Sequence, residues 1–233
     1  MDTRPEGPFH FFPLFLYYQG MQQQQIQDRH TSFAILGKAE VLYNTWRRLQ
    51  SKSLSLLQSM VNIVAQKSAT LDQPSTLEQH GVDKSRLMYK QAASLENLIK
   101  DLHSVLELFD KVKRDWAQLD LEATRHVVKY TSRPSLPAKP APLSTNSLIQ
   151  VTAVAPAQVQ DMISRLAYMY DEEFNYKFML LSTLPSNMSN QDQIQQLVDR
   201  WDAEAHIDST LQQDIAERIK LYRTVKKVLE SVD

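Results

Sequence analysis

The chain has 233 residues, 42% of them hydrophobic and 23% charged, with a formal net charge of -1. It is long enough to bury a core, too apolar for a disordered polymer, and without a net field to attract nucleic acid or an anionic membrane. It has no cysteine and only four glycines, Gly7, Gly20, Gly37 and Gly81. Disulfides, thiolate catalysis, cysteine zinc sites and iron–sulfur clusters are thereby excluded. A glycine-rich phosphate loop cannot be written either, because its backbone must reach positive φ and approach the ligand closely. Tight hairpins also favour glycine, so a β-rich fold is not expected.

The first feature in chain order is the aromatic, apolar run Phe9–Tyr18. It holds Pro13 and is too short to span a bilayer. Only Arg4 precedes it as a basic flank, and no clear small-residue cleavage site follows, so it mimics a signal peptide weakly. Met21 comes next, so residues 1–20 are compatible with an extension that the working protein lacks. Residues 1–30 are expected to be disordered or weakly ordered. A first helix is expected over 31–67, where Ile35, Ala39, Leu42, Trp46, Leu49, Ser53, Leu56, Met60 and Ile63 alternate in steps of four and three. Residues 66–83 break the pattern with Pro74, Gly81 and polar side chains.

The second helix, expected over 84–124, carries the clearest signal. Leu95, Leu98, Leu102, Val105, Phe109, Val112, Trp116 and Leu119 follow strict three-and-four spacing, eight consecutive a and d positions of a left-handed coiled-coil seam. Ile99 and Leu106 widen the stripe, and the other faces between Lys84 and Ala123 carry seven basic and seven acidic residues. An isolated helix is marginal in water, so this seam must pack on something. The first helix offers a matching seam, and the intervening break allows an antiparallel hairpin. The same seam would serve a core or a helical partner equally well.

Residues 124–156 contain five prolines (Pro134, Pro137, Pro140, Pro142 and Pro156) and the cations Arg125, Lys129, Arg133 and Lys139, with no acidic residue. They read as an extended basic linker, with short strands conceivable at Val127–Tyr130 and Leu148–Val154. A third helix starts at Pro156 and buries Val159, Met162, Ile163, Leu166, Met169, Tyr170, Phe174, Leu180 and Leu184 before Pro185 and Asn187 end it. Ser189 with Asp192 resembles a capping box ahead of Ile194, Leu197, Val198 and Trp201. The last helix begins near Asp208 or Ser209, with Leu211, Ile215, Ile219, Tyr222, Val225 and Leu229 on its apolar face. Residues 21–70 carry six basic against two acidic groups, and residues 157–209 three against nine.

No catalytic pattern emerges. No two of the six histidines lie three or four residues apart, and neither HExxH nor GxSxG occurs. The acidic pairs Glu172/Glu173 and Asp202/Glu204 read as solvated faces rather than a general acid and base. The basic set Arg218, Lys220, Arg223, Lys226 and Lys227 is diluted by Glu217 and Glu230, so direct nucleic-acid binding is not expected. Arg47-Arg48-Leu49 matches a short Arg-x-Leu docking pattern, but Leu49 falls on the seam. The chain has no Ser-Pro, Thr-Pro, Ser-Gln or Thr-Gln, so a link to proline-directed or DNA-damage kinases would be docking and not phosphorylation at their usual sites.

The order of these features resembles a known family. Trp46-Arg47-Arg48-Leu49 lies on a helix, followed by the leucine-rich coil from Leu95 to Leu119 and a linker with Arg133-Pro134-Ser135-Leu136. Then come Met169-Tyr170-x-x-Glu173-x-x-x-Lys177, Trp201, and Ile207-Asp208-Ser209 ahead of the last helix. This is similar to the cyclin-dependent kinase 2-interacting protein family (CINP) over roughly residues 33–223. The resemblance implies a non-catalytic, mainly nuclear adaptor, present also in the cytoplasm. Its implied partners are cyclin-dependent kinase, checkpoint proteins and AAA-ATPase subunits, in DNA replication and large ribosomal subunit maturation.

The expected fold is all-α: an elongated antiparallel coiled-coil hairpin (31–123), a Pro-rich basic linker (124–156) and a smaller C-terminal helical unit (157–233). No catalytic residue, cofactor, metal or membrane contact is expected. The partners are proteins, through a helical coiled-coil partner or self-association. Leu102, Phe109, Trp116 and Trp201 are the candidate partner contacts, because large apolar seam residues and tryptophans dominate interface hot spots; core packing is their plainer role. The alternative reading is a coiled-coil subunit of a centrosomal, kinetochore or vesicle-tethering complex.

Overall fold

The computed structural model describes residues 12–72, 80–132, 153–188 and 190–230. These form five helices, with no strand among the described residues: α1 (Phe12–Asp72), α2 (Lys84–Thr131), α3 (Pro156–Asn187), α4 (Gln191–Asp202) and α5 (Ser209–Glu230). At 1.5 Å per residue, α1 is about 90 Å long and α2 about 70 Å. They form the antiparallel hairpin. Gln91 Nε2 donates to Thr70 Oγ1 near the turn, Lys38 pairs with Glu122 at 2.7 Å, and Ser32 Oγ lies 3.2 Å from His126 Nε2 toward the far end.

Local chemistry sets the helix ends. Gly81 sits at φ 67°, in the left-handed region where a side chain would be strained, and the Asp83 carboxylate accepts the Arg86 N–H to cap α2. Pro156 opens α3, where its missing N–H costs nothing. Asn190, not Ser189, caps α4 by accepting the Asp192 N–H; Ser189 lies outside the described residues. Asp208 accepts the Thr210 N–H at the start of α5.

Helix bounds differ from those expected at three places. α1 begins at Phe12, so residues 12–30, read as weakly ordered, are helical, and it continues past 67 to Asp72. α2 runs to Thr131, through residues placed in the linker and through Val127–Tyr130, read as a strand. The local β propensity of Val127-Val128 is outweighed by helical packing that buries Ala123 and His126 against the hairpin. Of the second proposed strand, Leu148–Val154, Ala153 and Val154 are irregular, and 148–152, with the linker prolines from 134 to 142, lie outside the described residues.

The three later helices pack back on the hairpin. α3 runs antiparallel along α2, with Lys113 3.7 Å from Asp171 and the Ser164 hydroxyl donating to Asp120. α5 packs on α1, where Tyr222 stacks on Phe33 at 3.6 Å and Arg223 meets Glu40 at 3.3 Å. The short α4 packs against α1 and α3. One continuous apolar core joins all five helices. On α2 the predicted seam is buried except for Leu98, which is half-buried. On α1 the buried line is Ser32, Leu36, Ala39, Tyr43, Trp46, Gln50, Ser53, Leu57, Met60 and Val64. It keeps three-and-four spacing but turns partly away from Leu42, Leu56 and Ile63, because α3, α4 and α5 cover a second side of the helix.

Candidate functional site

The inner face of α3 carries its own seam: Val159, Ile163, Leu166, Tyr170, Glu173, Lys177, Leu180 and Leu184, in steps of four and three. Two of these positions are charged, and both are fully buried. Lys177 Nζ lies 3.0 Å from Glu173 Oε1, a charge contact without good hydrogen-bond alignment. The ammonium also donates to the Trp201 carbonyl at 2.9 Å and sits 4.8 Å from the Trp201 ring centroid. Glu173 Oε2 accepts the His206 backbone N–H at 3.1 Å. Each charge therefore has polar partners, without which enclosure would be prohibitive.

The partners come from the end of α4 and the connection that follows. Trp201 Nε1 donates to Ser53 Oγ at 2.8 Å, and its carbonyl accepts Gln50 Nε2 as well as Lys177. Glu204, held at φ 41°, accepts the Trp46 Nε1–H at 2.7 Å. Gln212 donates to the Tyr170 hydroxyl at 2.6 Å. Trp46 meets Phe109 and Tyr170 edge-on, and Tyr170 stacks on Trp116. The three tryptophans thus tie α1, α2, α3 and α4 together through one aromatic and polar cluster.

Electrostatics follow from enclosure. Burial lowers the Lys177 pKa, against the upward pull of Glu173. Burial raises that of Glu204, against the Trp46 hydrogen bond and the Lys177 charge. Burial is also the chief cause of a raised Tyr170 pKa. Glu173 and Lys177 are sealed from solvent, so in this conformation neither is reachable by a solute. Among the described residues, no group of His, Asp or Glu is placed to hold a metal ion, and no helix is long and apolar enough to cross a membrane.

All four candidate contact residues, Leu102, Phe109, Trp116 and Trp201, are enclosed in the core. Phe109 and Trp116 join the aromatic cluster, Trp201 anchors α4, and Leu102 lies within the hairpin seam. In this conformation none of the four side chains is presented at the surface. Sequence reasoning quoted Glu173 and Lys177 in the motif that carries the resemblance but did not place them in the core, and Glu173 was read as part of a solvated face. Their register was the available signal: both fall on the three-and-four seam between Tyr170 and Leu180. Ser53 was already on the expected stripe of α1, but Glu204 and Gln50 had no comparable signal, because their partners are more than 140 residues away.

A family model described as "Ribosome biogenesis protein C1orf109-like" matches residues 31–221, which takes in all of α2, α3 and α4 and most of α1 and α5. That agrees with the resemblance to the related CINP family. No curated protein matches the chain.

Proposed function

We propose, from the premise that this chain belongs to the C1orf109-like family of ribosome biogenesis proteins, that it is a non-catalytic adaptor of that process. The match over 31–221 carries the reading, since it spans the cluster that organises the fold. The burial of the only charged pair on the α3 seam supports a scaffold, because those groups are committed to holding helices. The hairpin (31–123) pairs with a helical partner or a second copy, and the C-terminal helices (157–233) contact a second protein. Leu102, Phe109, Trp116 and Trp201 act on binding through the surface they support. The resemblance to CINP supports the finer assignment: linkage of AAA-ATPase subunits, cyclin-dependent kinase or checkpoint proteins to large-subunit maturation and DNA replication, in the nucleus and also the cytoplasm.

Purification of the full-length protein from its own cells, with mass spectrometry of associated chains and gradient sedimentation, tests this. Co-sedimentation with large-subunit precursors is expected, and recovery of AAA-ATPase subunits or kinases would identify the dominant linkage. Recovery of spindle, kinetochore or tethering proteins alone, with no precursor, would overturn it.

A further inference from the structure

The outer groove between α2 and α3 is largely apolar where solvent should be met. Ala117, Leu121, Thr124 and Val128 are all exposed, Leu121 at 51% and Val128 at 57%, and Thr124 adds a methyl group to the run. They follow four-three-four spacing, a second short seam on the side of α2 opposite its core residues Val112, Trp116, Leu119 and Ala123. Across the groove α3 exposes Tyr168, at 67%. The flanks have opposite charge. The α2 side carries Arg114, Arg125 and Lys129, with Asp110 the one acidic group, paired with Arg114 at 3.1 Å; the α3 side carries Asp161, Asp171 and Glu172, with Arg165 the cation among them.

The two helices are in fixed register. Lys113 faces Asp171, and Asp120 accepts from Ser164, along the inner edge of the groove. A two-fold axis running along the groove would lay α2 of one copy over α3 of the other in that same register. Tyr168 of each copy then covers the small Ala117 of the other. Arg125 comes beside Asp161, and Arg114 beside Glu172. A two-fold axis across the groove would instead put α2 on α2, basic flank against basic flank. Large against small and positive against negative are both met by the first operation, and such self-complementarity is what an isologous dimer requires.

We infer that this face binds a second copy of the chain, as a parallel two-fold dimer with α2 seated on α3. The patch is roughly 25 Å long and two helices, ~20 Å, wide, at the low end of the range for specific interfaces, so the dimer is weak and concentration-dependent. This surface is separate from the ribosome biogenesis reading, and either can fail alone.

The test uses the full-length protein in sedimentation-velocity and light-scattering measurements across a concentration series. Leu121→Glu, at an exposed position, is expected to leave the thermal midpoint unchanged and weaken dimerisation at least ~10-fold. Arg125→Glu and Asp161→Arg each weaken it, and the two together restore it. A chain that stays monomeric to about 100 µM overturns the inference, since weak specific dimers associate below that. So does a dimer indifferent to Leu121→Glu, or a monomer that loses a different co-purifying protein with that variant; the latter would assign the groove to another partner.

Discussion

Lys177→Met keeps the side-chain volume and removes the charge. Glu173 is left fully enclosed without its cation, and the Trp201 carbonyl keeps Gln50 as its partner. Breaking a buried ion pair from one side costs about 3–5 kcal/mol. For a chain of this size that lowers the thermal midpoint by roughly 6–20 °C. Adding Glu173→Leu removes both charges and leaves only the loss of the acceptor for His206 N–H, about 1–2 kcal/mol. Urea unfolding followed by far-UV circular dichroism, at acid and neutral pH, reads all three proteins. A single variant within ~1 kcal/mol of the parent at neutral pH, or a double variant no better than the single, refutes the claim that this pair secures the C-terminal helices.

Trp201→Phe should cost about 1 kcal/mol more than Trp116→Phe, because Trp201 Nε1 bonds Ser53 whereas Trp116 Nε1 is buried with no hydrogen-bond partner; equal losses in urea unfolding count against it. Glu204→Gln keeps an oxygen for Trp46 Nε1 and removes a carboxylate whose pKa burial raises. A raised carboxyl costs nothing in acid and destabilises as pH climbs through its folded value, so the variant's advantage should grow from acid to neutral pH; a loss at neutral pH contradicts this. Gly81→Ala meets open space but must adopt φ 67°, so it should cost about 1 kcal/mol in the same assay, and an unchanged midpoint would mean the turn does not depend on that conformation.

The α2 seam was legible because its periodicity is long and unbroken, and burial follows it from Leu95 to Leu119 except at Leu98. The seam of α1 was legible only in part. Ser53 fell on the expected stripe, but Ser32 and Gln50 are polar and lie off it, and only their bonds to His126 and Trp201 place them inside. Glu173 and Lys177 failed for the same reason: charge argues for solvent until a partner of opposite charge appears one turn away and a carbonyl arrives from α4.

By itself the sequence determined the helical class, the hairpin and the absence of thiol chemistry and glycine-rich phosphate loops, because composition and local periodicity are carried by neighbouring residues. Tertiary structure alone decided that the four large seam residues face inward and that α4 is held by buried polar groups. It also decided which face of α2 remains open. Those outcomes depend on contacts between residues far apart in the chain, where burial is set by which helices meet and not by what either helix favours alone.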